Sequence, residues 1–316
     1  MKRVLLTGAA GFVGTNITAA LLAEGCAVTA LDRAFPAGWA AQFGPAPALT
    51  LIASDAGHLP DIPADALIHG AAITATPEEV GLTPEAYFMA HLQPALHASE
   101  WAAQRGIRAV LITSSAVFGA TPNEGLDEFT PSDPAHLYGA AKRAIEHFAK
   151  AARRLHGRDV VAARFSGIYG PYEVPRPTRP RIALIGRLIH EALREGVMHI
   201  APDDPARDWT FAPDLGRALH ALISTPRLSQ PLYNVAAAQV YTTTQVAEMI
   251  QAALPGTRIV TDYPSTPHVN RRLGYLTNDR LRADTEFGAW TPFPEGLRQT
   301  IAWAQAALAQ PNGERQ

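Results

Sequence analysis

The chain of 316 residues is long enough to bury one sizeable core, and its composition, with 47% hydrophobic and 18% charged residues, is that of a globular protein. The formal net charge of −2 and the lack of a long basic run give no reason to expect nucleic acid as a partner. The single cysteine, Cys26, excludes an internal disulfide, and no apolar run approaches the roughly 20 residues that a membrane span requires. These properties predict a cytoplasmic protein with neither a nucleic-acid nor a membrane partner.

The first predicted element is a strand that leads through a glycine-rich turn into a helix. The apolar run from Val4 ends in three glycines, Gly8, Gly11 and Gly14, and helical spacing continues over residues 16–23. Gly8 permits the turn out of the strand, Gly11 lets backbone N–H groups approach a pyrophosphate, and Gly14 lets the helix pack closely on the sheet. The helix N-terminus then faces the anion. The stretch predicts a dinucleotide site, although a strand-to-helix connection without a ligand can have the same spacing.

The second predicted strand, residues 27–31, is followed by an acidic residue. Asp32 lies 18 residues after Gly14, a position from which a carboxylate can accept hydrogen bonds from the adenosine ribose hydroxyls. Because a carboxylate there repels a 2′-phosphate, NAD is predicted as the cofactor in preference to NADP. Arg33 beside it weakens this exclusion, since a cation attracts the same phosphate. The alternative for Asp32 is a solvated residue at the end of a strand.

Further strands alternate with segments of helical periodicity through the first half of the chain. This alternation predicts a parallel sheet that is covered by helices on both faces. The carboxyl ends of such strands form the crevice in which a ligand lies. The predicted strands are Leu49–Ala53, Ala66–His69, residues 109–113 and Val160–Phe165.

The pattern changes after Phe165, and the C-terminal half predicts a smaller lobe of mixed structure. Residues 171–181 hold four prolines and three arginines, which predict a stiff loop, and an amphipathic helix follows over 182–195. The predicted parts are a nucleotide-binding domain, residues 1–165 with 208–238 returning to it, and a substrate-binding lobe, residues 166–207 with 239–316.

The predicted helix over 136–155 carries a candidate acid–base pair. Tyr138 and Lys142 are four residues apart, so their side chains leave one face of the helix about one turn apart. A cation beside a phenol lowers its pKa from the reference of ~10, which makes proton exchange feasible nearer neutral pH. Ser114 follows the strand over 109–113, where its hydroxyl can hold a carbonyl or alcohol oxygen beside the phenol. The alternative is an exposed helical pair, because this spacing also arises by chance.

Together with the glycine turn, these motifs make the sequence similar to the extended short-chain dehydrogenase/reductase family of nucleotide-sugar epimerases, dehydratases and related dehydrogenases. The resemblance covers nearly the whole chain and implies an α/β Rossmann fold, a doubly wound parallel sheet with a smaller, mixed C-terminal substrate lobe. In the implied site, Ser114 orients the reacting oxygen, Tyr138 exchanges its proton, and Lys142 tunes Tyr138 while the nicotinamide exchanges a hydride. The matching motifs are residues 7–14, Asp32, Asp55, 69–72, 114–119, 138–142, 164–171, Arg207–Phe211 with Asp214, and 233–235.

The resemblance implies which residues contact each ligand. The predicted cofactor contacts are Gly8, Gly11, Phe12, Val13, Gly14, Asp32, Arg33, Asp55, Ala71, Tyr138 and Lys142. The predicted substrate contacts are Thr74, Ser114, Ser115, Gly167, Arg176, Arg207 and Arg272. Solvated surface is the alternative for the loop arginines, Arg176 included, whereas the resemblance favours an inward, anion-contacting Arg207. The histidines show no paired spacing, so no metal site is predicted.

Three departures from the family pattern bear on the substrate. Nucleotide-sugar members typically carry asparagine where this chain has Gly167, and a Gly-Asp-Gly-like turn where it has residues 203–206. His91 also stands where the family commonly has asparagine. The missing amide, and Pro205 without its N–H, leave fewer donors for the phosphates of a nucleotide. We therefore predict a small, anionic or polyhydroxylated substrate that is not attached to a nucleotide.

These observations give three hypotheses for function. The leading one is an NAD-dependent oxidoreductase that transfers a hydride at a secondary alcohol or ketone of a sugar or sugar acid. The alternative is a nucleotide-sugar epimerase or dehydratase, in which the same hydride is removed and returned. The third is a non-catalytic, NAD-binding redox sensor, against which the intact Ser114, Tyr138 and Lys142 argue.

A homodimer is the predicted assembly. The predicted helices over 85–105 and 136–155 each carry apolar residues on more than one face. One face covers the sheet, and the surplus can pair across a two-fold axis.

Overall fold

The computed structural model describes residues 1–121, 124–265 and 274–309; Arg272 lies outside them. The strands are β1 (Arg3–Thr7), β2 (Ala27–Asp32), β3 (Leu49–Ala53), β4 (Ala66–His69), β5 (Arg108–Ser114), β6 (Gly125–Leu126), β7 (Val160–Phe165), β8 (Gly167–Tyr169), β9 (Val197–Ile200), β10 (Arg207–Phe211), β11 (Leu232–Val235), β12 (Gln239–Tyr241), β13 (Arg258–Thr261) and β14 (Tyr275–Leu276). The helices are α1 (Phe12–Ala23), α2 (Pro84–Gln104), α3 (Leu137–His156), α4 (Leu184–Glu195), α5 (Ala212–Ser224), α6 (Thr243–Ala253), α7 (Asp279–Thr285) and α8 (Phe293–Ala309). None of these helices is long and apolar enough to cross a bilayer.

In the described part of the chain, seven parallel strands form the central sheet in the spatial order β11-β7-β5-β4-β1-β2-β3. The chain runs from β1 outward to β2 and β3 and then crosses to β4 on the other side of β1, so the winding reverses between β1 and β4. The register aligns Thr7 with Leu31 on one side and with His69 on the other. This doubly wound sheet confirms the predicted Rossmann fold class, and its reversal point is where such sheets bind ligands.

The central strands are apolar throughout because helices cover both of their faces. Every residue of β4 and β7 is buried. On one face, Ile17 of α1 and Leu219 of α5 belong to a core shared with β1 and β2. On the other face, Ala98 of α2 and Ile145 of α3 pack against β5 and β7. The edge strand β3, by contrast, leaves Leu51 40% exposed.

Two helices begin slightly later than their periodicity predicts because the preceding residue is an N-cap. α3 starts at Leu137, and the His136 Nδ1 atom accepts a hydrogen bond from Gly139 N at 3.1 Å. α4 starts at Leu184, and the N–H of its cap residue, Ala183, donates to the Glu173 carboxylate at 2.9 Å.

The remaining elements form a smaller, mixed lobe. β8 and β10 run parallel while β12 pairs with β10 antiparallel, and β9 pairs with β13. Helices α4, α6 and α8 surround a core that includes Leu188, Trp209, Val246 and Phe293. From β10 the chain returns through α5 to β11 at the edge of the large sheet. The division into two domains at the predicted boundaries stays a prediction.

A buried ion pair joins α3 to the central sheet. Arg164 of β7 and Glu146 of α3 have fully buried side chains that form two hydrogen bonds of 2.8 Å. Glu146 also accepts a hydrogen bond from the Thr113 hydroxyl of β5 at 3.0 Å, and Arg164 donates to the Asn234 side chain of β11 at 3.2 Å. These bonds compensate two charges that have been removed from water. The network fixes α3 against three strands.

Only some of the apolar residues on which the homodimer prediction rests are exposed. Trp101 of α2 and Ile145 of α3 are buried in the core, whereas Met89 is 45% and Leu155 64% exposed. The homodimer stays a prediction. We expect light scattering at micromolar concentration to give twice the chain mass of 33.8 kDa, and a monomer mass would reject the assembly.

Candidate functional site

The glycine turn after β1 forms a cradle with no room for side chains at two positions. Gly8 has a φ of +72°, and a Cβ atom on it would lie 2.6 Å from Ala71 N. A Cβ atom on Gly14 would lie 2.0 Å from the carbonyl oxygen of Gly8. Such distances are far inside van der Waals contact, so both positions require glycine. The turn thus lies close to the end of β4 and the start of α1, which suits the backbone cradle of a dinucleotide pyrophosphate.

Asp32 lies beside this turn, at the end of β2. Its Oδ2 atom accepts a hydrogen bond from Ala10 N at 2.9 Å, and its Oδ1 atom accepts one from Arg33 N at 2.8 Å. The turn and the strand therefore hold the carboxylate in place, and its remaining lone pairs can accept ribose hydroxyls. The side chain of Arg33 is exposed, and so is Asp55 two residues after β3, whose carboxylate accepts Gly57 N at 2.8 Å.

Tyr138 and Lys142 lie in the first two turns of α3. The Lys142 ammonium is 5.6 Å from the centroid of the Tyr138 ring. Lys142 is 2% exposed, and its ammonium donates to the carbonyl oxygen of Ile112 at 2.9 Å. Burial lowers the pKa of Lys142 to about 8, so it is still a cation at neutral pH. A buried cation next to the phenol stabilises the phenolate, which is not the geometry of a solvated surface pair.

A close contact between α3 and the turn after β5 brings Ser114 to the same place. A Cβ atom on Gly139 would lie 2.1 Å from the carbonyl oxygen of Ala116. Glycine directly after Tyr138 is therefore what lets the helix pack on this turn. The Ser114 hydroxyl accepts Ala116 N at 3.2 Å and caps the 3₁₀ turn Ser115–Val117. Its own proton remains available for a substrate oxygen. The sequence pattern around Tyr138 includes this glycine, but only the contact with Ala116 explains it.

His91 of α2 packs against Tyr138, a contact that the sequence alone does not predict. Its ring meets the Tyr138 ring edge-on at a centroid distance of 5.5 Å. Nδ1 lies 2.9 Å from the carbonyl oxygen of Tyr87, and Nε2 lies 2.9 Å from that of Ile73. Burial, and then the charge of Lys142, lower the pKa of His91. His91 thus supports the phenol ring through packing. No group of three His, Cys, Asp or Glu side chains within the described ranges could hold a metal ion.

A cavity of about 1310 Å³ connects the glycine turn, the Tyr138 site and the lobe. Pockets for one drug-sized ligand typically measure about 300–1,000 Å³, so this cavity has room for a dinucleotide and a second ligand. The sequence-predicted residues that line it are Gly8, Gly11, Phe12, Val13, Gly14, Asp32, Arg33, Asp55, Ala71, Thr74, Ser114, Ser115, Tyr138, Lys142, Gly167, Arg176 and Arg207.

The lobe contributes a cation to the lining of this cavity. Arg207 of β10 is half-buried, and burial lowers its pKa while Asp203 acts in the opposite direction. Gly167 faces the same strand, and a Cβ atom on it would lie 2.6 Å from the carbonyl oxygen of Asp208 and 3.1 Å from the Trp209 ring. The backbone of β10 therefore leaves no room for the amide side chain that nucleotide-sugar members of the resembled family carry there.

Comparison with known sequences gives one family. A model described as the NAD dependent epimerase/dehydratase family matches residues 4–236. A dTDP-glucose 4,6-dehydratase of Streptomyces niveus is 27% identical over 325 aligned positions, and the alignment covers 95% of this chain and 92% of the relative. A probable dTDP-glucose 4,6-dehydratase of Sinorhizobium fredii is 25% identical over 334 residues, with the same coverage of 95% and 92%.

Solved structures agree with this finding. MoeE5 in complex with UDP-glucose and NAD is 27% identical, has a TM-score of 0.79, and covers 97% of this chain and 100% of its own. A UDP-N-acetylglucosamine 4-epimerase of Methanobrevibacter ruminantium has a TM-score of 0.78 with coverage of 97% and 99%. At 23% identity, the second likeness concerns the fold alone.

Proposed function

The chain belongs to the NAD dependent epimerase/dehydratase family, and from that premise we propose that it is an epimerase of a nucleoside-diphosphate sugar. Membership confirms the predicted cofactor, NAD, and the predicted resemblance to epimerases and dehydratases. The named relatives support the second of the sequence hypotheses, nucleotide-sugar epimerase or dehydratase, better than the first, net oxidation of a free sugar or sugar acid.

The observation that carries the proposal is the continuity of the cavity. It joins Ser114, Tyr138 and Lys142 at one place to Arg207 at another, within one volume of about 1310 Å³. A free sugar has no phosphate to offer the Arg207 guanidinium. A sugar attached to a nucleoside diphosphate brings one, and a guanidinium suits a phosphate. The MoeE5 complex with UDP-glucose and NAD supports the same ligand class.

In the proposed reaction, each of these residues has a part in hydride transfer at the sugar. Gly8 and Gly14, where a side chain would fill the cradle, and Asp32 beside them fit an adenine dinucleotide. When bound, NAD accepts a hydride from the reacting carbon and gives it back. The Ser114 hydroxyl donates a hydrogen bond to the sugar oxygen, and the Tyr138 phenolate takes the proton of that hydroxyl and later returns it. The Lys142 ammonium stabilises the phenolate before it takes the proton and again after it has returned it.

The two residues that follow Ser114, Ser115 and Ala116, favour epimerisation over dehydration. Epimerisation needs no acid or base beyond Tyr138, because the same oxygen is deprotonated and reprotonated. Elimination of water needs a further base for a second C–H proton and a further acid for the departing hydroxyl. Ser115 and Ala116 follow Ser114 on the turn that faces the cavity, and neither side chain can serve as that acid or base. Asp208, whose pKa burial raises to about 7, also lines the cavity but lies on β10 and not on this turn.

The test is turnover of UDP- and dTDP-sugars in D₂O, followed by NMR and by absorbance of NADH. We expect one epimer to convert to the other with no accumulation of NADH and no deuterium on carbon, because the hydride returns from the cofactor. Dehydration would incorporate deuterium at the carbon that loses its proton. Accumulation of NADH with a free sugar or sugar acid would restore the first hypothesis. NAD binding without turnover of any sugar would favour the redox sensor.

A further inference from the structure

Residues 171–183, which we call the strap, connect the lobe to both sides of the glycine turn. At the start of the strap, Asn16 Nδ2 of α1 donates to the carbonyl oxygen of Pro171 at 2.9 Å. At its middle, the N–H groups of Thr74 and Ala75, which follow β4, donate to the carbonyl oxygen of Thr178 at 2.9 and 3.1 Å. The strap therefore crosses the crevice in which the dinucleotide lies.

Two arginines of the strap share one face. Arg176 and Arg179 exchange reciprocal backbone hydrogen bonds of 2.9 Å, so they are directly opposed in a short antiparallel bridge. Directly opposed residues of such a bridge point to the same side. The Arg179 guanidinium lies 5.4 Å from the Phe12 ring centroid at the start of α1. The shared face is therefore directed at the N-terminal end of α1, where the glycine turn meets the helix.

The two arginines differ in their partners. Arg179 forms an ion pair with Glu173, whose carboxylate also accepts Ala183 N. Arg176 lines the cavity, and no described acidic group forms an ion pair with it; its Nε atom, like that of Arg179, is buried without a hydrogen-bond partner. Burial lowers the pKa of Arg176, and the carboxylate of Asp32, at the cofactor end, acts against this effect. Arg176 is thus a half-buried cation at the cofactor end, and its Nε donor has no partner.

We propose that Arg176 donates hydrogen bonds to the pyrophosphate of bound NAD, so that the substrate lobe supplies a cation to the cofactor site and the strap closes over the dinucleotide. Arg176 is then a cofactor contact and not the substrate contact that the sequence predicts. A substrate diphosphate offers the same phosphate chemistry, but Arg207 already lies at the substrate end. The inference does not depend on which sugar reacts.

The test is calorimetry of NAD binding to the full chain without any sugar. Arg176→Gln is expected to raise the Kd for NAD about ten- to hundredfold, the range for a hydrogen bond to a charged group. Arg181→Gln is the matched control, because Arg181 lies on the same strap but is 77% exposed and pairs with Glu79; it should change the Kd less than about threefold. Arg176→Lys, which keeps a cation, should recover part of the loss. Unaltered circular dichroism of the three variants establishes that they fold.

Binding of UDP, dTDP and NADP shows which phosphate Arg176 contacts: that of the substrate, the 2′-phosphate of NADP or the pyrophosphate of NAD. With NAD saturating, Arg176→Gln should leave the Kd for UDP and dTDP unchanged, while Arg207→Gln should raise it. Weaker UDP or dTDP binding with unchanged NAD binding would assign Arg176 to the substrate and overturn the proposal. A loss for NADP that clearly exceeds the loss for NAD would assign it to a 2′-phosphate beside Asp32 and also overturn it. Failure of the epimerase assay alone would leave these binding results intact.

Discussion

The cofactor end and the substrate end of the cavity are built in different ways. At the cofactor end, Gly8, Gly14 and Asp32 come from one strand–turn–helix–strand unit, and backbone contacts determine its shape. At the substrate end, Gly167 and Arg207 come from strands that are distant in sequence. One contiguous unit therefore identifies its ligand from the sequence, whereas residues assembled from separate segments do so only after folding.

The largest expected effect comes from Tyr138, where the two ends meet. Tyr138→Phe removes the acid–base group and should lower kcat by about two to four orders of magnitude, while the Kd for NAD stays nearly unchanged. Steady-state kinetics and calorimetry measure the two quantities. Tyr172→Phe is the control, because Tyr172 packs on Trp303 away from the cavity. Near wild-type turnover of Tyr138→Phe would remove this residue from the mechanism.

A second prediction concerns the buried cation beside it. The pKa of Lys142 is about 8 in the folded protein and ~10.4 in an unfolded chain, so the unfolded state binds more protons between these values. The free energy of unfolding should therefore rise with pH over this window, by about 2–3 kcal/mol relative to Lys142→Met. Urea titrations of both proteins at pH 7 to 10.5 measure the difference. Parallel pH curves would show that Lys142 is not desolvated.

An alanine in the glycine turn should impair the cofactor end alone. Gly14→Ala places a Cβ atom 2.0 Å from the Gly8 carbonyl oxygen, and the resulting shift of the cradle should weaken NAD binding about ten- to hundredfold. The Kd for UDP should change little. Gly25→Ala is the control, since Gly25 has a φ of +75° but open space around it; it should reduce the Tm without altering NAD affinity. Equal loss of NAD and UDP binding would mean that the two ends are not separable.

The smallest expected effect is on the choice of cofactor. Asp32→Asn removes the charge that repels a 2′-phosphate and should reduce the ratio of NADP to NAD dissociation constants about tenfold. Asp55→Asn is the control, because it removes a carboxylate that follows the neighbouring strand β3. It should leave this ratio unaltered. If wild-type protein already binds NADP more tightly than NAD, Arg33 outweighs Asp32.

The parts of the fold and site that the sequence predicts are those with local causes. The strands Ala66–His69 and Val160–Phe165 have the predicted bounds, because largely apolar runs reflect burial on both faces. Leu49–Ala53 also has the predicted bounds, although it is a partly exposed edge strand. The glycine turn and the Tyr138–Lys142 pair are likewise determined within a few residues. Their side chains line one cavity, as predicted, whereas their roles there stay predictions.

What the sequence could not predict depends on contacts between distant segments. Gly139 is required only because Ala116 lies against it, and the orientation of Arg176 follows from its pairing with Arg179. From the sequence, glycine at position 167, where nucleotide-sugar members typically carry asparagine, predicts a substrate without a nucleotide. The structure offers another reason for that glycine, since the Asp208 carbonyl leaves no room for a larger residue. A missing donor is therefore weak evidence about the ligand when packing alone explains it.

The Arg164–Glu146 pair also has a consequence for how the sheet assembles. Its bonds reach Thr113 and Asn234, so they form only when β5, β7 and β11 are neighbours and α3 is docked. A strand order that places another element beside β7 would leave the buried pair without its Thr113 or Asn234 hydrogen bond. If α3 were not docked, the buried guanidinium would have no carboxylate, at a cost of about 3–5 kcal/mol. The pair thereby disfavours misassembled sheets. Either residue could change over evolution only together with its partner.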